Sequence, residues 1–417
     1  MTMTNEIVTL VTEAVPQFEG YVYPNEATLH PLWSFLIVVY PYITGLVAGA
    51  FIMASLVRVF KVQALEPVYR FSLLTAFAFL LCAPLPLLFH LGHPERNYEI
   101  LMTPHLTSPM ACFGFVYAWY LMAVLLLELW FDFRCDLVEW SKTATGFRGI
   151  LYRALTLGVT DVSPKAVALD LKVGRFLSIV GIPSAFLLHG YVGFIFGSIK
   201  ANPLWGNVLM PIIFILSAIV SGIALCVFNY VNLNWVRRKT VDMRCLDTMA
   251  MFLFYALVVD ATIEGLDWVH RSYAAEEGYS VIAIMMREKM FYTMNLAQVT
   301  VGTLIPLLLL GLLQLAPGRI PELIRRRMIY CSSAMILIGV LAMRWNVVIG
   351  GQMFSKSLRG VMSYKLDFIG SEGLLLGGVI LILPFIILTV LVKLFLDPRL
   401  SSSGHSGLPQ ATAGETA

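Results

Sequence analysis

The sequence predicts an all-α, polytopic membrane protein, and three observations carry that prediction. Of 417 residues, 58% are hydrophobic and only 13% are charged, a balance unsuited to a water-exposed surface. The apolar residues gather in nine continuous runs, each near the ~20 residues a helix needs to cross a bilayer. The runs are unbroken, without the short alternating segments of a membrane β-barrel.

In order, the runs cover 33–57, 70–91, 109–131, 176–198, 207–233, 246–268, 291–315, 328–350 and 372–396. Residues 1–32 hold no Lys or Arg and four Glu, which lacks the basic start and short apolar core of a cleavable signal. The long connection 132–175 carries Phe147, Ile150, Leu151 and Leu155 among Arg148 and Arg153, the pattern of a short amphipathic helix lying on the membrane surface. Pro41, Pro84, Pro86, Pro183, Pro211, Pro306 and Pro384 fall inside runs and are expected to kink them. Residues 397–417 form a tail whose Ser401–Ala417 part is rich in Ser, Gly, Ala and Thr and is expected to be disordered. The six cysteines show no ligand spacing and read as small apolar fillers.

Basic residues set the orientation. The connections after the odd-numbered runs hold 18 Lys and Arg, against 8 after the even-numbered ones. The odd connections are therefore expected in the cytoplasm, the N-terminus outside (periplasmic in a Gram-negative cell) and the C-terminus inside.

That orientation gives each polar side chain a depth. His90-Leu91-Gly92-His93-Pro94-Glu95-Arg96 closes the second run, so two imidazoles, a carboxylate and a guanidinium meet at the outer rim. A capping loop would need none of this chemistry, but His titrates near neutral pH and suits proton movement. Tyr40 and Tyr42 in the first run, and His189 and Tyr191 in the fourth, lie in the outer half. In the sixth run Asp260, Glu264, Asp267 and Arg271 follow i, i+4, i+7, i+11 spacing and share one helical face. Asn295, Gln298, Arg344 and Asn346 reach a similar depth. Arg344 in its apolar run requires a partner, and Asp260 or Glu264 is expected to supply it. Asp260, Glu264 and Arg344, with Glu95 and Arg96 at the rim, are candidates for proton transfer. A static ion pair bracing the helices is the competing reading. Glu128 and Lys393, close to run ends, are expected to snorkel. The sequence has no Walker, zinc or Ser-His-Asp pattern, which leaves proton-coupled chemistry on a bound small molecule.

These residues resemble a known family. Leu91-Gly92-His93-Pro94 is similar to the Leu-Gly-x-Pro loop after the second helix of NrfD/PsrC-type membrane subunits. Gly190-Tyr191-Val192-Gly193, Asn202-Pro203-Leu204-Trp205, Arg344-Trp345-Asn346 and Gly350-Gly351-Gln352 resemble its later motifs in order and spacing. Within the family, Gly350–Gly360 (GGQMFSKSLRG) is similar to DsrP-type subunits of sulfur-metabolism complexes.

The resemblance implies two four-helix bundles, 33–206 and 207–350, followed by a loop and an extra ninth helix over 351–396. It also implies a quinone-binding subunit of a respiratory oxidoreductase in the cytoplasmic (inner) membrane. Such a subunit would exchange electrons with a periplasmic, ferredoxin-like iron–sulfur partner, with cytochrome and catalytic subunits as further candidates. Membrane lipid would surround it, with no nucleic-acid partner. The quinone is ubiquinone or menaquinone, and no haem or metal is expected in this subunit.

A quinone head group needs a donor at each of its two carbonyls and takes up protons on reduction. Tyr40, His90, His93, His189 and Tyr191 are the candidates at the right depth. A secondary transporter, with its site near the midplane, and a b-type cytochrome using His90 and His189 are the alternatives.

Overall fold

The computed structural model describes residues 33–396 apart from 104–106, 108–115, 118, 275–277, 317, 355–363, 365 and 371. The segment 1–32, the tail 397–417 and most of the DsrP-like stretch Gly350–Gly360 lie outside the described residues.

Eight helices among the described residues are long and apolar enough to cross a membrane, and each coincides with one of the expected runs. They are α1 (Phe35–Arg58), α2 with α3 (Tyr69–Cys82 and Leu85–His90), α6 (Pro164–Gly197), α7 (Met210–Val236), α8 (Met243–Tyr273), α10 (Ile305–Leu315 with its leading turns from Phe291), α11 (Glu322–Trp345, continuing to Gly350) and α12 (Leu374–Phe395). The other expected run, 109–131, begins in residues that are not described. Its far part is helical through Trp119–Leu125 and α4 (Leu126–Thr143). Short helices α5 (Gly146–Leu155) and α9 (Tyr279–Glu288), with brief turns at Gln63–Val68, Pro94–Arg96 and Glu99–Met102, make up the remaining described helix. The protein is thus an all-α, multi-pass membrane protein.

The helix starts are written locally. Ser34 accepts from the Leu36 N–H at 3.3 Å, and the Asp242 carboxylate accepts from Arg244 and Cys245, so orphan amides of the first turn are satisfied. Ser163 followed by Pro164 starts α6, which begins well before the apolar run it contains. Its 34 residues make it roughly 50 Å long at ~1.5 Å per residue, far beyond the ~30 Å hydrocarbon core. Its polar first turns extend past the core: Asp170 Oδ2 accepts from both Nε and Nη2 of Arg134 on α4.

Pro41, Pro183 and Pro384 lie inside helices, and Pro84 sits at the break between α2 and α3. Pro86, Pro211 and Pro306 do not: each stands in the first turn of its helix, where the missing N–H has no partner to lose. The helix expected near 147–155 is α5, with Phe147 and Ile150 exposed. The Tyr152 hydroxyl donates to the Leu394 carbonyl at 2.7 Å, which clamps α5 to the end of α12.

α1 is the axis. It is buried along nearly its whole length and packs on α2, α6, α7, α11 and α12, so it is apolar all round. Its closest approach is to α7. A Cβ on Gly49 would collide with the Ala218 carbonyl and the Gly222 backbone, and a Cβ on Gly222 would collide with Gly49. Small residues let the two backbones touch. α10 and α11 meet in the same way through Gly302 and Gly339. Three described stretches, Trp119–Leu125, Phe291–Leu304 and Asn346–Gly350, wind as wider π-helix. Such turns cluster at functional sites.

Candidate functional site

Arg344 near the end of α11 is completely buried. One guanidinium nitrogen donates to Ser217 Oγ at 2.6 Å and meets His189 Nε2 at 3.0 Å. The guanidinium also lies over the Phe214 ring, 4.0 Å from its centroid, a cation–π contact in an apolar setting. Arginine carries no acceptor, so Nε2 of His189 must accept and the ring proton sits on Nδ1. That proton points to Thr44 Oγ1 at 3.2 Å. Thr44 in turn donates to the Tyr40 carbonyl at 3.1 Å. Gly45 leaves the space for this ring: a Cβ there would stand 3.1 Å from His189 Cε1.

Beside this centre runs a second line of polar groups. Asn346 Nδ2 donates to Gln298 Oε1 at 2.8 Å, and Gln298 Nε2 reaches Glu264 Oε2 at 3.4 Å. One turn further on α8, Asp267 accepts from Arg271 at 2.9 Å and from Asn207. Arg271 also donates to the Pro203 carbonyl at 2.5 Å. A cavity of about 20 Å³ lies among Ser217, Asp260, Glu264, Gln298 and Met343, room for about one water. A neighbouring cavity of about 60 Å³ shares Glu264, Gln298 and Met343 and reaches Asp267, Arg271 and Asn346. Its wall includes Met210, Met290 and Met294, unbranched side chains that yield easily. Asp260 Oδ1 and Asn346 Oδ1 are buried without a hydrogen-bond partner among the described residues.

Two of the sequence expectations change. Arg344 was expected to pair with Asp260 or Glu264, but its hydrogen bonds go to His189 and Ser217. The two carboxylates stand across the small cavity, with no direct ion pair to it among the described residues. The two polar groups expected in separate helix sets therefore join into one centre, because α6 and α11 both pack on α7. Glu128 does not snorkel. It is 1% exposed, takes the Ser178 hydroxyl and leaves Oε2 without a hydrogen bond among the described residues. The cause is the length of the helix, which runs unbroken from Trp119 to Thr143, so Glu128 lies inside it against Ser178 of α6 and not at an end. One turn away, Asp132 accepts from Arg58 at 3.3 Å, Tyr69 at 3.2 Å and Arg70 at 3.1 Å.

Of the other candidates, Tyr40 is buried beside this centre, within electrostatic reach of half-buried Tyr191. The rim loop stands apart. His93 is largely exposed and meets Glu95 at 3.0 Å. Arg96 pairs with Glu99 at 2.9 Å, and each holds the other charged: the Glu99 carboxyl is pulled down and the Arg96 guanidinium pushed up. His90 Nδ1 lies 3.1 Å from Glu372 ahead of α12. Both nitrogens of His189 are engaged elsewhere, so these two imidazoles are not posed as a ligand pair. No group of three or more potential metal ligands occurs among the described residues.

Ser217, Thr44 and Phe214 escaped the sequence reading, since a Ser, a Thr or a Phe in an apolar run carries no signal of its own. The motif residues, by contrast, converge. Trp205 donates to the Val347 carbonyl at 2.6 Å and Asn202 to the Gly351 carbonyl at 2.7 Å. Gln352 exchanges hydrogen bonds with the Trp33 backbone at 2.8 and 3.0 Å, and Trp33 stacks on Trp205 at 5.3 Å. Together they cap the end of the bundle above the cavity.

Over 211 residues the chain is 35% identical to a selenate reductase subunit of Mesobacillus selenatarsenatis, a match covering 49% of each chain. It is 29% identical over 196 residues to protein NrfD of Escherichia coli, covering 46% of this chain and 58% of that one. These matches span about half the length of the relatives. A longer, weaker match, 22% over 411 residues, covers 93% of this chain and 92% of the Hdr-like menaquinol oxidoreductase integral membrane subunit of Archaeoglobus fulgidus. Residues 25–356 match the family described as polysulphide reductase, NrfD, and the chain belongs to that family.

Proposed function

We propose that this chain is the quinone-reactive membrane subunit of a respiratory oxidoreductase, exchanging electrons between a membrane quinone and an iron–sulfur partner. The observation that carries the reading is the buried Arg344–His189 centre beside two carboxylates and a yielding, methionine-walled cavity. A quinone supplies two-electron, two-proton redox chemistry. The chain must then supply hydrogen bonds to the head group and a route for protons.

The residues fit such a group. Asn346 Oδ1 and Asp260 Oδ1 are buried acceptors lacking a hydrogen-bond partner among the described residues, suited to a hydroxyl donor or a water. Glu264 and Gln298 form the shared wall of the two cavities. Of the imidazole and phenol candidates, His189, Tyr40 and Tyr191 lie at the centre, with His90, His93, Glu95 and Arg96 at the rim. The present cavity is small for a quinone ring, so the methionines must move to admit one. Arg344 holds a fixed positive charge near Asp260 and Glu264, which offsets part of the cost of burying them. A proton would pass along Asp260, Glu264 and Asp267 toward the end of α8.

The relative named for menaquinol supports a quinone substrate. The basic-residue asymmetry supports a periplasmic site and partner and an inner-membrane location. The assignment to sulfur-compound metabolism rests on the likeness of Gly350–Gly360. The test is quinol-linked dye reduction by the assembled complex. Glu264→Gln, Gln298→Leu and His189→Ala should each lower turnover at least tenfold, about 1.4 kcal/mol of barrier, with normal assembly. Full turnover in all three variants would place the chemistry elsewhere.

A further inference from the structure

The opposite end of the fold carries a separate cavity of about 470 Å³ between α2, α7 and α12. Phe71, Phe385 and Leu388 supply apolar wall, while Arg237 and Lys393 also line it. No lining residue among the described residues is acidic. Asn229, on the α7 wall, is 7% exposed, and its Nδ2 is buried with no hydrogen-bond partner among the described residues. An unsatisfied buried donor is costly, and its position on a cavity wall points to an acceptor supplied from outside the chain.

We propose that this cavity is a specific site for an anionic phospholipid. Lys393 at the mouth meets the phosphate, with Arg237, which also donates to the Leu396 carbonyl at 2.8 Å, adding positive charge beside it; Asn229 Nδ2 donates to an acyl-ester carbonyl, and the chains run between Phe71, Phe385 and Leu388. Three features select this occupant. Both charged residues of the described lining are cationic, the wall is apolar, and one buried amide donor without a partner among the described residues lies among the aromatic rings. General lipid coating explains the apolar wall but not the two cations with a buried amide. The cations also adjoin Arg238 and Lys239, so the positive field extends beyond the cavity and draws anionic lipid toward it. This inference does not depend on the quinone reading, since the two sites share no residue.

The test uses the full chain purified in a mild, uncharged detergent. Phosphatidylglycerol should raise the melting temperature at lower mole fraction than phosphatidylcholine, and native mass spectrometry should find anionic lipid retained. Lys393→Gln and Asn229→Leu should each weaken the phosphatidylglycerol shift at least threefold. Arg326→Gln, across α7, should leave it unchanged and control for general loss of charge. Inorganic phosphate alone should have no effect; an equal shift from phosphate would mean a simple anion site and overturn the lipid assignment. Equal shifts from both lipids, an undiminished shift in both cavity variants, or retention of quinone in place of phospholipid would also overturn it. If Asn229→Leu fails to fold, Lys393→Gln at the exposed mouth still decides the matter.

Discussion

The hydrogen bond between Arg344 and His189 can be tested without knowing what the protein reacts with. A charge-assisted bond of this kind contributes about 1.5–3 kcal/mol. At 3.0 Å between fully buried groups, it should fall in that range. His189→Leu removes the acceptor and also leaves Thr44 without its imidazole partner. Arg344→Met leaves His189 Nε2 and Ser217 without a donor, but it also relieves the burial of a cation. The single variants therefore mix several effects, while the double-mutant cycle isolates the contact. Unfolding free energies of the four proteins, from denaturant titration in one detergent, should give a coupling of about 2 kcal/mol. A coupling within about 0.5 kcal/mol of zero would refute the bond and the tautomer assigned from it. The same four proteins separate bracing from chemistry. Loss of stability with normal quinol-linked turnover indicates a brace; loss of turnover beyond the loss of folded protein indicates a working centre.

Gly222→Val should lower protein yield and cost about 1–3 kcal/mol or more, because α7 and α1 touch through backbone there. Gly265→Ala on α8, with no described atom near its Cβ position, should be neutral or stabilising by a few tenths of a kcal/mol; melting temperatures compare the two. A periplasmic reporter fused near residue 100 should be active and one near residue 155 silent, and the reverse pattern would invert the depth of every polar group. Cys135, beyond the apolar run of its helix, has its thiol pushed up to about 11 by burial. Its alkylation should be slow at pH 8 and rise steeply toward pH 11, since the thiolate is the reactive form. A rate that levels off near pH 9 would show an ordinary thiol.

The spans were legible because lipid leaves helix ends few alternatives: eight described helices fall on the expected runs. Their true lengths were not. α4 runs on past its apolar part because Asp132 and Asp136 find Arg58 and Arg70. α6 starts early because Asp170 finds Arg134. A charged residue ends an apolar run in the sequence, but it ends a helix only if it lacks a partner, and the partners are remote in the chain. The same limit governed the site. Asp260 to Arg271 could be put on one face from spacing alone. The union of His189 with Arg344 could not, because it depends on how α6 and α11 share α7. Ser217 and Thr44 are ordinary small residues until the fold sets a guanidinium and an imidazole against them.

The wide helical stretch Phe291–Leu304 acts on this centre like a vernier. Its turns take in surplus residues, and the displaced carbonyls of Asn295 and Gln298 are met by the hydroxyls of Thr300 and Thr303, five residues on, at 2.7 and 3.1 Å. Ile305–Leu315 follows as ordinary α-helix and anchors the span. Adding or removing one residue between Asn295 and Gln298 would leave that anchor in place and turn the preceding side chains by about 100°. Asn295 would face a new neighbour, while Gln298 kept its hold on Asn346 and Glu264. The lining of the cavity near Met290 and Met294 can therefore be re-indexed by single-residue insertions or deletions, a coarser change of its shape than replacing side chains one at a time.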